Sequence, residues 1–307
     1  MSRVAIVTGA GSGIGLSASK ALARDGWTVY DFSRTDRAAP NVKHIGCDIS
    51  NEAQVRAAVS RVIEEQGRID LLLNNAGFGI SGAVEFTRAE EAEKLIRVNL
   101  LGADNVTRAV LGTMRAQRGG RILFTSSIAG ILPIPFQAWY SVTKAAINAY
   151  ALALRNEVAP FGVSVCAVMP GDIHTGFTAA REKSAVGDDV YGGRIEKAVS
   201  AMERDERNGM SPDAAGAYLA KIAGKKRVKP LYAIGAQYKL SCPAIRPGVK
   251  YPVICAENTC FFRNRCCRLF SVSGQHNDLN AGRCTIRSCL RYGIANLIRD
   301  QVTANVG

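Results

Sequence analysis

A chain of 307 residues, 47% hydrophobic, 21% charged and with a net charge of +13, can form one large α/β domain or two small ones and can bury a substantial core. No run approaches the roughly eighteen apolar residues of a membrane span, and Val4-Ala5-Ile6-Val7 is too short an apolar run for a signal peptide, so the expectation is a cytoplasmic protein with no membrane span. Basic charge favours anionic ligands, but no nucleic-acid motif is present, which leaves a phosphorylated small molecule as the simpler partner and no nucleic acid.

In chain order, strands are predicted near 3–8, 28–33, 42–46, 69–74, 120–126, 163–169 and 230–234, with helices near 13–25, 51–66, 89–116, 137–160 and 211–224. Alternation with short connections predicts a single doubly wound parallel sheet, a Rossmann-like α/β fold. Residues 174–210 are charged, glycine-bearing and weakly periodic, which suits a lid inserted after a sheet strand.

The first strand-to-helix turn reads Thr8-Gly9-Ala10-Gly11-Ser12-Gly13-Ile14-Gly15. Glycine permits positive φ and close backbone approach, and helix N-terminal amides suit a phosphate. The spacing is Gly9-x3-Gly13-x-Gly15 rather than G-x-G-x-x-G, and a tight turn without a ligand is the competing reading. The second strand bears on the cofactor. It ends at Ser33-Arg34, with no acid to hold ribose hydroxyls; Asp31 lies two residues earlier on the same face. The Arg34 fork suits a phosphate, so NADP(H) is expected over NAD(H), the alternative being an ordinary solvated cation.

Tyr140 and Lys144 fall four apart on one helix face, thirteen and seventeen residues after Ser127. An ammonium beside a phenol favours phenolate and is expected to lower the tyrosine pKa, suiting it to proton exchange with an alcohol or alkoxide near neutral pH. Ser127 is placed to hydrogen-bond the same oxygen, with Ser126 as a strand-end neighbour. His174 is read as a lid or pocket-wall residue, Cys166 as core, and His44 has no partner that the sequence names.

Across residues 3–240 these features resemble the short-chain dehydrogenase/reductase family. The motifs are the glycine turn, Cys47-Asp48-Ile49, Asn74-Asn75-Ala76-Gly77, Val98-Asn99, Ser126-Ser127, Tyr140-x3-Lys144 and Pro170-Gly171-Asp172-Ile173-His174-Thr175. Gly120 to Thr178 looks most like the branch with hydroxysteroid and retinol dehydrogenases. The resemblance implies catalytic roles for Asn99, Ser127, Tyr140 and Lys144. It implies cofactor contacts from Gly9, Ser12, Gly13, Ile14, Gly15, Ser33, Arg34, Asp48, Ile49, Asn75, Ala76, Gly77, Pro170, Gly171, Ile173 and Thr175, joined by Tyr140 and Lys144, and no metal. Asp48 would contact the adenine amino group and Lys144 the nicotinamide ribose. Thr175 and the Ile173 backbone would engage the carboxamide, and Asn99 would interrupt a helix and hold a water leading to Lys144.

Substrate would lie among Phe78, Ile80, Ile131, Leu132, Ile134, Phe136 and Phe177, an apolar wall suited to a small apolar carbonyl or alcohol substrate such as a steroid, retinoid or fatty carbonyl; simple loop packing is the alternative. No charged group stands out for binding an acid. The function expected is NADP(H)-dependent interconversion of a carbonyl and a secondary alcohol, with reduction preferred. A non-catalytic NADP(H)-binding regulatory protein on the same fold is the alternative, and a nucleic-acid binder using its basic tail a third. The family often forms a homodimer or homotetramer through the helix of Tyr140. Ala145, Ala146, Ala149, Ala151 and Ala153 allow that approach or packing on the protein's own sheet.

Residues 1–240 are thus expected to be the catalytic domain. Beyond them periodicity stops, and seven of the nine cysteines and nine Lys/Arg against three Asp/Glu follow. Residues 241–307 are expected to be an anomalous, disordered or non-native tail produced by a shifted reading frame, the alternatives being a metal or redox module and a basic interaction tail. The cysteine spacing lacks that of common zinc knuckles.

Overall fold

The computed structural model describes residues 2–235 and Tyr238, all within one compact unit, Met1–Val249. The readings of 241–307 lie outside the described residues.

The strands are β1 (Val4–Thr8), β2 (Thr28–Ser33), β3 (Val42–Gly46), β4 (Leu71–Asn74), β5 (Ile80–Ser81), β6 (Gly120–Thr125), β7 (Val163–Pro170), β8 (Glu182–Lys183) and β9 (Leu231–Ile234). The helices are α1 (Gly13–Arg24), α2 (Glu52–Gln66), α3 (Ala89–Ile96), α4 (Ala103–Ala116), α5 (Ala138–Val158), α6 (Phe177–Ala180), α7 (Arg194–Arg207) and α8 (Pro212–Ala223). Seven strands make one parallel sheet in the order β3-β2-β1-β4-β6-β7-β9. All seven fall where apolar runs predict them. Helices cover both faces, so the central strands are buried on both sides: Val4–Val7, Leu71–Leu73 and Ile122–Phe124 are at most 1% exposed.

Strand order reverses beside β1, whose neighbours are β2 and β4. A crevice therefore opens at the carboxyl ends of β1 and β4, where open α/β sheets take their ligands. The close packing of α1 on α8 steadies this edge. A Cβ on Gly216 would come within 2.5 Å of Ala18 N, and Ser17 Oγ donates to Asp213 Oδ1 at 2.7 Å.

Several elements go beyond the predicted ones. The helix predicted over 89–116 is interrupted by a π-helical turn at Arg97–Gly102. Residues 174–210, aperiodic in sequence, contain α6 and the 14-residue α7. The Arg194–Arg207 helix is strongly charged and buries only Ile195, so it shows little apolar stripe to detect. β8 pairs with β5, tying this segment to the loop after β4.

Candidate active site

The residues singled out in the sequence gather at the carboxyl edge of the sheet. Gly9 and Gly13 take φ of 69° and 52°, conformations costly for other residues. A Cβ on Gly15 would lie 2.3 Å from Gly9 O and 2.4 Å from Asn75 Nδ2, so glycine is required for the turn to close on the loop after β4. Thr8 joins the two: its Oγ1 accepts from Asn75 N at 2.9 Å and Ala76 N at 3.0 Å. Asn75 Nδ2 donates back to Thr8 O at 3.2 Å. Ser12 is exposed and makes no side-chain cap, so its hydroxyl and the first-turn amides of α1 face the crevice mouth. Ile14 follows in that turn, and Gly77 lies against Asn99.

At the end of β2, Ser33 Oγ lies 2.7 Å from Asp31 Oδ2. Asp31 is fully buried and takes the Ala10 amide at 2.9 Å and His44 Nδ1 at 3.0 Å. His44 thus has a partner, brought to it by the β2–β3 pairing that sets Asp31 opposite His44. Arg34 and Arg37 are exposed, and Arg37 Cβ would meet a Cβ on Gly11 at 3.3 Å. Two cations therefore flank the glycine turn. Arg37 is one arginine in a polar loop, and no spacing in the sequence marks it.

After β3, Asp48 Oδ1 accepts from Ser50 N and Oγ at 2.9 and 2.8 Å, while Ile49 is buried and its carbonyl accepts from Asn105 at 3.0 Å. Pro170 ends β7, followed by Gly171 and Ile173, which is buried. A Cβ on Gly13 would lie 3.5 Å from Thr175, which places Thr175 against the glycine turn. His174 is exposed.

Ser127, Asn99, Tyr140 and Lys144 close the site. Ser127 caps the turn after β6, accepting from Ala129 N at 3.1 Å, and its side chain also hydrogen-bonds Tyr140. Ser126 Oγ donates instead to Lys144 O at 3.0 Å, a buried structural bond. Lys144 is 6% exposed. Its Nζ donates to Thr125 O at 2.9 Å and lies 5.6 Å from the Tyr140 ring centroid. Asn99 sits in the π-helical turn, as its expected interruption requires. Its side chain clamps Phe78, accepting from N at 3.0 Å and donating to O at 2.9 Å.

The acidified phenol expected from sequence is not what this geometry produces. Desolvation dominates and pushes Tyr140 up to about 12, against lowering by the Ser127 hydrogen bond and by Arg181. Burial equally pushes Lys144 down to about 8. The tyrosine ring keeps some exposure, but its hydroxyl is packed among protein atoms. The four-residue spacing brings the two side chains together, and their shared burial decides the sign of the shift.

Of the expected apolar wall, Phe78, Ile131, Ile134, Phe136 and Phe177 are half-buried, Ile80 is buried, and Leu132 is exposed. Phe177 approaches Tyr140 at 5.7 Å between ring centroids. The surroundings are not wholly apolar, because Arg181, 4% exposed, and Glu206 pair beside Phe177. Arg181 is one charge among many in a polar segment, and no sequence pattern distinguishes it.

The arrangement is a glycine-lined groove for a dinucleotide beside a serine, a phenol and an amine able to exchange a proton. The family model described as short chain dehydrogenase matches residues 3–185. A 3-ketodihydrosphingosine reductase of Bacteroides thetaiotaomicron is 40% identical over 227 residues, 73% of this chain and 84% of that protein. A short-chain dehydrogenase from Streptomyces avermitilis superposes with a TM-score of 0.70 at 29% identity, over 78% of this chain and 89% of that one. A 3-ketoacyl-(acyl-carrier-protein) reductase from Brucella melitensis, in complex with NADH, gives 0.64 at 26% identity over 76% and 96%. The chain belongs to the short-chain dehydrogenase family of NAD(P)(H)-binding oxidoreductases.

Proposed function

We propose that the protein is an NADP(H)-dependent reductase that converts the carbonyl of a long-chain substrate to a secondary alcohol. The observation that carries this reading is the convergence of Ser127, Tyr140 and Lys144 beside the glycine turn. Bound NADPH would supply the hydride. Tyr140 gives its proton to the oxygen that becomes the alcohol, and Ser127 holds that oxygen by a hydrogen bond. A phenol raised to about 12 stays protonated at neutral pH, the form that reduction consumes. Lys144 positions the cofactor ribose, and Asn99 holds the Phe78 loop against the site.

Support for NADP(H) comes from Ser33 at the strand end and from Arg34 and Arg37, neither of which makes an ion pair or hydrogen bond among the described residues. The cofactor residues are those of the glycine turn, the Asp48, Asn75 and Pro170 loops, and Thr175. The domain carrying them is residues 1–240, with a lid over 174–210. The apolar surroundings and the Bacteroides relative's name favour a long-chain 3-ketone. Free, buried Cys47 and Cys166 suit a reducing cytoplasm, and among the described residues no helix is long and apolar enough to cross a membrane. Exposed Val142 and Leu101, at 51% and 50%, with exposed Ala145, Ala149 and Ala153 on α5, support a homodimer or homotetramer through α4 and α5. Buried Ala151 packs inward.

The test is NADPH oxidation with 3-ketodihydrosphingosine and shorter 3-ketones. Turnover should occur, and Tyr140→Phe should lower kcat by about a hundredfold or more while NADPH still binds. A variant retaining most of kcat removes Tyr140 from the chemistry. Tight NADPH binding with no turnover on any ketone would favour the regulatory alternative.

A further inference from the structure

The Arg181 side chain is 1% exposed. Its Nη2 donates to Glu206 Oε1 at 2.5 Å, and Thr178 Oγ1 donates to the other Glu206 oxygen at 2.6 Å. Nε and Nη1 are buried and have no acceptor among the described residues. Buried donors are almost always satisfied; Glu206 and the nearby Glu203 carboxylate offset the Arg181 charge, but the two open N–H groups still lack acceptors. Other inward-facing arginines in this protein follow that rule. Arg155 donates to the carbonyls of Val165 and Val228, and Arg121 donates to Ser164, Ile222 and Ala223.

Position distinguishes Arg181 further. Its guanidinium lies 5.6 Å from the Phe177 centroid, and Phe177 lies 5.7 Å from Tyr140. A Cβ built on Gly79 would be 3.6 Å from Nε. The Arg181 charge also acts on the Tyr140 hydroxyl, favouring phenolate. The open donors thus sit between the Gly79 loop and Phe177, one ring from the phenol.

We propose that Arg181 is a specificity-determining residue whose Nε–H and Nη1–H hydrogen-bond an oxygen carried by the substrate close to the carbonyl that Tyr140 serves. The inference rests on the reading of Tyr140 as proton donor, and it narrows the substrate class to ketones bearing a second, hydrogen-bond-accepting oxygen near the carbonyl. A site built to hydrogen-bond a hydroxyl rejects the analogue lacking it, because the buried donors are then left unpaired. Glu206 orients the guanidinium, and Phe177 packs it.

Calorimetric titration of the NADP+ complex with decane-1,3-diol and with decan-3-ol tests the proposal without requiring turnover. The wild type should bind the diol at least about tenfold more tightly. Arg181→Lys keeps the ion pair with Glu206 but lacks the fork, so it should lose that preference while NADP+ affinity stays unchanged. A wild type that does not favour the diol, or a lysine variant that keeps the preference, overturns it. Arg181→Met gives a second reading of the same preference if the lysine variant folds poorly. Loss of turnover on ketones alone, with the diol preference intact, would count against the Tyr140 reading and leave the Arg181 contact standing.

Discussion

At the scale of single residues, burial and charge compete, and the outcome differs between neighbours. Lys144 is held at about 8 against a usual 10.5. Between those values the unfolded chain binds more protons than the folded one, so this residue's contribution to stability rises with pH across that window and falls away as pH drops through 8. Compared with Lys144→Met, the wild type should gain up to about 1.4 kcal/mol per pH unit there, as read by urea unfolding; parallel profiles would mean that the lysine titrates normally. Tyr140 has the opposite sign. Its stabilising share is intact below pH 10 and is lost as pH rises through about 12, so the lysine effect is best read below pH 10. Arg34 makes a different kind of contribution. If its fork meets the cofactor 2′-phosphate, Arg34→Ala should lower kcat/KM for NADPH by about 10- to 100-fold, the worth of a charged hydrogen bond, and leave NADH unaffected. Equal losses for both nucleotides would remove Arg34 from cofactor selection. The Tyr140-x3-Lys144 spacing is visible in sequence because it is local. The Asp31–His44 pair is not, because a strand pairing brings together residues thirteen apart.

At the scale of elements, the glycine turn and the loop after β4 act as one piece, held by Thr8 and Asn75. Gly15→Ala would drive a methyl group into Gly9 O and Asn75 Nδ2. The expected cost is about 1–3 kcal/mol of stability, typical of forced overpacking, with loss of NADPH binding; a variant as stable as the wild type, with the cofactor still bound, would show that the turn relaxes freely. The seven strands of the main sheet and α1, α2, α5 and α8 were legible because apolar runs, helical stripes and glycines mark them locally. The break at Arg97–Gly102 was expected only through the family resemblance, which gives Asn99 that role, and nothing local marks the polar helix α7. The first depends on Asn99 clamping Phe78 across the site, and the second buries almost no apolar face.

At the scale of the whole molecule, exposed Val142, Ala145 and Ala149 on α5 concern assembly. If α5 packs against a second copy, Ala149→Glu should reduce the solution mass toward a monomer in light scattering, with the fold preserved by circular dichroism. An unchanged mass would exclude this face. The sequence alone determined the doubly wound sheet and singled out the serine, tyrosine, lysine and glycine-turn residues as candidates, because each leaves a short-range mark of period, spacing or backbone freedom. Tertiary structure alone decided that Tyr140 is raised and not lowered, that Asp31 meets His44, and that Arg181 is buried one ring away from the phenol with two open donors. Desolvation and long-range contacts depend on what the fold packs around a group, and a linear order of residues does not carry that information.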